Sequence, residues 1–178
     1  MNKINLDDRC FELLIPHTEI DKAISAVAKA VNEEYKNDCP VLLITLNGAI
    51  VFAVDLLKQL TINCRVSCIK LSSYSGTECT NTMKDLIGLS EDLTNQRVLI
   101  IEDIIDTGNT YAHIMDILKN QNVKDIKIAT MVYKQEAYRQ SLPVDFVGLP
   151  IPNKFVVGRG LDYNGMGRNL IDIYQVCE

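Results

Sequence analysis

Hydrophobic residues along the chain fall into two alternating patterns: short unbroken runs, and longer stretches of helical period. Thr18 to Lys36 has the helical period, with Ile20, Ile24, Val27 and Val31 on one face. Thr18 stands where a helix cap would, and Asp21 lies at the capping-box distance. Asn37-Asp38-Cys39-Pro40 ends that helix. Val41 to Leu46 is a nearly continuous apolar run, as buried parallel strands are. Gly48 to Leu60 reads as a second helix and Cys64 to Leu71 as a second strand. From Ser72 to Asn95 the pattern fades into Ser, Thr, Gly, Asn and charge. It returns with a strand at Val98 to Glu102, a helix at Thr110 to Asn120 and a strand at Ile126 to Tyr133. Asp145 to Leu149 and Phe155 to Val157 read as short strands, and Leu170 to Val176 as a last strand or a packing segment. Strands alternating with helices predict an α/β fold, a mostly parallel sheet flanked by helices.

Composition narrows the class. The 178 residues are 47% hydrophobic and 23% charged, which fits one globular domain spanning residues 1–178. No apolar run approaches the roughly 20 residues of a membrane span. Met1 to Arg9 is polar and lacks the apolar core of a secretion signal. The six cysteines form no CxxC pair, and His17 and His113 are isolated. Both facts argue against structural zinc, and reduced thiols in a cytoplasm are the expectation. A net charge of −5 argues against a nucleic-acid partner.

The segment from Val98 to Thr110 carries the chemistry. Its strand closes on two adjacent carboxylates, Glu102 and Asp103, which should point to opposite sides of the strand end. A third, Asp106, follows three residues later, and then the loop Thr107-Gly108-Asn109-Thr110 opens a helix. Ligands of open α/β sheets bind beyond the carboxyl ends of strands. The helix start offers unpaired N–H groups and a favourable dipole for an anion, and Gly108 lets phosphate oxygens approach the backbone. The loop alone fits a plain strand–turn–helix equally well. Three carboxylates at fixed offsets shift the balance, since burying them is costly unless hydroxyls or cations meet them.

Glu102-Asp103-Ile104-Ile105-Asp106-Thr107-Gly108-Asn109-Thr110 resembles the phosphoribosyl-pyrophosphate motif of the type I phosphoribosyltransferases, and more narrowly that of the hypoxanthine-guanine enzymes. The resemblance runs from about Thr45 to Arg168 and implies the type I core, with a small base-binding hood from the chain ends. It implies that Glu102 and Asp103 hold the ribose hydroxyls and through them a Mg2+ ion. Asp106 would be the general acid/base beside purine N7, and Asp106 to Thr110 would cradle the 5′-phosphate. Lys134, closing Met131-Val132-Tyr133, matches the family's donor to the purine 6-oxo group. Phe155 would stack on the purine, Val156 would offer backbone groups to its edge, and Asp162 would belong to the purine site and serve a second magnesium ion. Leu46-Asn47-Gly48 resembles the pyrophosphate loop, whose first peptide can be cis, and Arg168 matches an arginine on pyrophosphate. Ser73-Tyr74 matches a pair on a mobile lid, here the 72–95 stretch. Two positions depart from the pattern: Asn47, where many relatives are basic, and Arg159, where an aromatic residue is common.

The implied activity is purine salvage: transfer of phosphoribosyl from phosphoribosyl pyrophosphate to N9 of hypoxanthine or guanine, Mg2+-dependent, in a homodimer or homotetramer. Two alternatives stand beside it, a xanthine-preferring transferase and a non-enzymatic regulator on the same fold. The sequence does not rank the three 6-oxopurines.

Overall fold

The computed structural model describes residues 3–73, 83–89 and 91–177. Among these residues the strands form two sheets. The larger is built on β3 (Val41–Leu46), β4 (Arg65–Ser73), β5 (Met83–Ile87), β6 (Arg97–Ile105), β7 (Asp125–Tyr133) and β8 (Phe146–Pro150), in the order β5-β4-β3-β6-β7-β8. Five of these strands run parallel, and β5 pairs antiparallel to β4 at one edge.

The unbroken apolar runs follow from burial on both sheet faces. Leu42, Ile44, Leu99, Ile101, Ala129 and Met131 face one layer. That layer is α1 (His17–Glu34) and α2 (Ile50–Leu57), which contribute Ile20, Ile24, Val27, Val31, Phe52 and Leu56. The intervening residues Val41, Leu43, Val98, Ile100 and Ile128 face α3 (Asn109–Lys119) through Tyr111, Ile114 and Leu118. Two-residue alternation is therefore present along each strand, but both of its phases are apolar.

The smaller sheet unites the chain ends, as the expected hood does. β1 (Lys3–Leu6) and β2 (Arg9–Ile15) form a hairpin, and β10 (Ile173–Val176) inserts between β2 and β9 (Val156–Val157). All its pairings are antiparallel, around a minor core of Phe11, Val157 and Tyr174.

Several local expectations change. The hairpin at residues 3–15 went unread, because half-exposed strands with mixed polarity leave little periodic signal. β6 continues three residues past Glu102, and β5 occupies part of the weakly patterned stretch. Leu170 to Val176 resolves into strand β10. Helix α1 does not use Thr18 or Asp21 as caps. Pro16 is its N-cap, and the His17 N–H donates to the Asp172 carboxylate at 2.6 Å. The cap thus comes from 155 residues away, where local sequence cannot show it.

A polar cluster anchors the amino ends of the strands. Arg97, starting β6, bonds Asp38 at 2.8 Å and Asp125 at 2.9 Å and also bridges to Glu34. Its guanidinium lies 4.4 Å from the centre of the Tyr35 ring. Bonds from Lys127 and Arg97 hold the Glu34 carboxyl below its usual range. Arg97→Ala should lower stability by about 1–3 kcal/mol, the usual size for lost charge-assisted hydrogen bonds. Urea unfolding measures this, and a change below about 0.5 kcal/mol would refute the anchoring role.

Candidate active site

The carboxyl ends of β3, β6 and β7 supply the site. Glu102 and Asp103 sit near the end of β6, Glu102 buried and Asp103 partly buried despite their charge. Both line one cavity of about 270 Å³, and each carboxyl shifts the other's titration. Glu102 Oε1 accepts from the Asp103 N–H at 3.2 Å, and Asp103 Oδ1 accepts from the Ile104 N–H at 2.9 Å. Among the described residues Glu102 Oε2 has no hydrogen-bond partner. Burial, and then the neighbouring Asp103 charge, push the Glu102 carboxyl well above its usual range. Burial raises Asp103 as well, although the Glu102 carboxyl, the Ile104 N–H and, more weakly, Arg168 pull against it.

Gly48 makes this packing possible. A Cβ built on it would overlap the Asp103 carboxylate. The Leu46–Asn47 peptide is cis, and Leu46 and Gly48 line the same cavity while the Asn47 side chain is exposed. Asp162 and Arg168 close the opposite wall as an ion pair at 2.6 Å. Arg168 also donates to the Gly160 carbonyl at 2.7 Å, and Asp162 accepts from the Gly165 N–H at 2.8 Å.

A second cavity of about 150 Å³ adjoins the first, sharing Glu102 and Thr110 with it. Asp106, Thr107, Gly108 and Asn109 line it at the start of α3. Gly108 is the helix N-cap with φ +84°, left-handed backbone that favours glycine, and its Cα lies against the Tyr138 ring. The first N–H groups of α3 have no partner within the helix and face an anion-sized space. The 134–140 turn braces this loop: the Arg139 N–H donates to Thr107 O, and Gln140 donates to the Asn109 side chain.

Lys134 follows β7 directly and is only 6% exposed. Its ammonium pairs with Asp106 at 2.6 Å, and its N–H donates to Ile105 O at 2.9 Å. Two residues given separate tasks by sequence are therefore one hydrogen-bonded unit. Phe155 is 44% exposed, edge-on to Tyr163 at 5.9 Å and tilted against Phe11 at 6.3 Å. Val156 is buried in β9. Tyr74 and the side chain of Ser73 lie outside the described residues.

The family model for the phosphoribosyl transferase domain matches residues 14–164. The chain belongs to that family. A curated relative, the hypoxanthine phosphoribosyltransferase of Escherichia coli K12, is 37% identical over 162 residues, covering 89% of this chain and 91% of the relative. Among solved structures, a Staphylococcus aureus hypoxanthine phosphoribosyltransferase superposes with a TM-score of 0.87 at 31% identity, covering 93% and 91% of the two chains. A Bacillus anthracis hypoxanthine-guanine phosphoribosyltransferase gives 0.87 at 30% identity, with 93% and 98% covered. The parallel sheet with flanking helices is the phosphoribosyltransferase fold.

Among the polar residues lining the first cavity, Thr45 was missed. Thr45 is buried at the end of β3, lines the first cavity, and its hydroxyl favours the charged form of the Glu102 carboxyl. The available signal was a lone hydroxyl in an otherwise apolar run that ends at the sheet's carboxyl edge. Among the described residues no three His, Cys, Asp or Glu side chains converge as a ready metal cage. The donor set fits a different arrangement. An orphaned carboxylate oxygen at Glu102, with Asp103 beside it and Asp162 opposite, suits a hard cation that brings substrate and water oxygens along.

The raised Glu102 carboxyl has a consequence for stability. Its folded pKa lies above the unfolded one, so the folded chain holds the proton more tightly. Stability therefore falls as pH rises above about 4.5, and the deficit persists at neutral pH. Glu102→Gln should raise Tm by about 2–4 °C at pH 7.5 in metal-free buffer, with the gain shrinking towards pH 4. Calorimetry at both pH values checks this, and a variant less stable than wild type at pH 7.5 would overturn the desolvation account.

Proposed function

We propose that this protein is a purine-salvage phosphoribosyltransferase that moves the 5-phosphoribosyl group from phosphoribosyl pyrophosphate to N9 of hypoxanthine or guanine, with release of pyrophosphate. The observation that carries this reading is the pair of buried Lys134 with half-exposed Asp106 at 2.6 Å, set beside the anion cradle of α3. The names of the relatives support the same reaction.

Each residue then has a task its chemistry suits. Thr107 to Thr110 would take the 5′-phosphate on backbone N–H groups and hydroxyls. Glu102 and Asp103 would accept from the ribose 2′- and 3′-hydroxyls, which supply the hydrogen bonds that the orphaned Glu102 oxygen lacks. Leu46, Asn47, Gly48 and Arg168 would hold the pyrophosphate, by backbone donors and a guanidinium. Glu102 and Asp103, through the sugar, and Asp162, across the cavity, would hold Mg2+, which neutralises charge on the departing pyrophosphate.

On the base side, the Lys134 ammonium would donate to the purine 6-oxo oxygen. An ammonium has no acceptor for a 6-amino group, so adenine would leave Lys134 and its own amine unpaired. Asp106 anchors that ammonium and would hold the N7 proton while N9 attacks C1 and the C1–O bond to pyrophosphate breaks. Phe155, half-exposed on the hood, would stack on the purine face, with Val156 backbone groups at its edge.

A purine panel with phosphoribosyl pyrophosphate and Mg2+ tests the reading. Hypoxanthine or guanine should be turned over at least ~1,000-fold more efficiently than adenine. Equal use of adenine would refute the 6-oxo assignment, and chelation should abolish turnover until Mg2+ is restored. Asp106→Asn should lower kcat about 100-fold while the donor KM changes less than about threefold. Lys134→Ala should raise the purine KM at least ~10-fold, and an unchanged value would remove Lys134 from base recognition.

A further inference from the structure

Arg159 is the residue that the implied family pattern leaves without a task, and its surroundings give it one. Its backbone is left-handed (φ +53°) between two glycines of φ +102° and +104°, so residues 158–160 form a tight reversal closed by the Gly158–Leu161 bridge. The side chain turns inward instead of into solvent, with 12% exposure. Its guanidinium bridges Asp21 of α1 and reaches Asp55 of α2 at 3.1 Å, and it donates to the Ile171 carbonyl at 3.3 Å. Asp21, which sequence placed in a capping box, is thus a partner of this arginine.

The other side of the same reversal meets the site. Gly160 packs so closely on the Gly48 carbonyl that any Cβ there would overlap it. The Gly160 N–H donates to Arg168 O at 2.9 Å, and Arg168 donates back to Gly160 O. Asp162 stands two residues on and pairs with Arg168. One short turn therefore touches the Leu46-Asn47-Gly48 loop and carries the Asp162–Arg168 wall. Its outer face is fastened to two helices by one side chain. Position matters here at the scale of tenths of an ångström, because ligand-holding groups lose effect when their supports loosen.

The geometry points to Arg159 as a positioning residue for the donor half of the site: its bridge to Asp21 and Asp55 holds residues 158–162 against Gly48, fixing the width of the cavity between Glu102–Asp103 and Asp162–Arg168. This rests on the reading of that cavity as the donor site. The purine 6-oxo edge is set by Lys134 and Asp106 on other elements, and Phe155 and Val156 are held by the hood sheet, so loosening the bridge should act more on donor than on base.

Steady-state kinetics of Arg159→Ala should show the donor KM raised about tenfold, with the purine KM and kcat within about threefold. Calorimetric titration with Mg2+ and inorganic pyrophosphate should show a similar loss of affinity. Arg159→Lys keeps the charge but not the two-pronged reach, and should give about a threefold effect; it keeps the test readable should the alanine variant not fold. Asp55→Asn should reduce the further effect of Arg159→Ala, since the two act through one bridge. A merely structural role would lower Tm while leaving both KM values and the pyrophosphate affinity unchanged, and that result would overturn the inference. If the wild type transfers no phosphoribosyl group, the proposed function falls, while amide exchange still decides the positioning role. Faster exchange at Gly160 and Leu161 in Arg159→Ala supports it, and unchanged exchange overturns it.

Discussion

The structure depends on the burial of β6 between two helical layers. Val98 to Ile101 are fully buried, and their alternate side chains fill opposite cores. That arrangement fixes the strand's direction and register against β3 and β7, and so brings three strand ends to one edge. The carboxylates ending the run inherit the burial. Glu102 and Asp103 are charged groups in a place that disfavours charge, and their raised pKa values record this. A site that holds unpaired acceptors for incoming hydroxyls is less stable empty than full. The apolar strand behind it is what keeps those acceptors from turning to water.

Opposite ends of the sheet treat charge in opposite ways. At the amino ends, Arg97 is surrounded by Glu34, Asp38 and Asp125, and each charge has a counterpart. At the carboxyl ends, pairing is partial: Lys134 meets Asp106 and Arg168 meets Asp162, but Glu102 keeps an orphaned oxygen. The first arrangement closes the fold and the second leaves room for a ligand. The hood adds the aromatic group of Phe11, Phe155 and Tyr163, assembled from both ends of the chain.

Much of this was legible because it is local. The run Val41 to Leu46 reads as a buried strand, and the Ile20, Ile24, Val27, Val31 face reads as a core helix. The Asp106 to Thr110 loop reads as an anion cradle because its residues must take the conformation found at Gly108. The hairpin of β1 and β2 was not legible, since its stability comes from pairing with β10 far along the chain. The Asp172 cap on α1 and the Arg159 bridge to Asp21 and Asp55 failed for the same reason. In each case one partner looked like an ordinary surface charge.

By itself the sequence determined the buried parallel strands and the helices between them, the parallel α/β class, and the residue types gathered around Glu102 to Thr110. Those follow from periodicity and from backbone demands that act within a few residues. Tertiary structure decided the rest: that Glu102 and Asp103 share one cavity, that Lys134 and Asp106 form a pair, and that Arg159 faces inward. These depend on distances between residues 28 to 138 positions apart in two of the cases, and on one strand's pleat in the other. Packing sets such distances through close contacts like Gly48 on Asp103, and no local pattern encodes them.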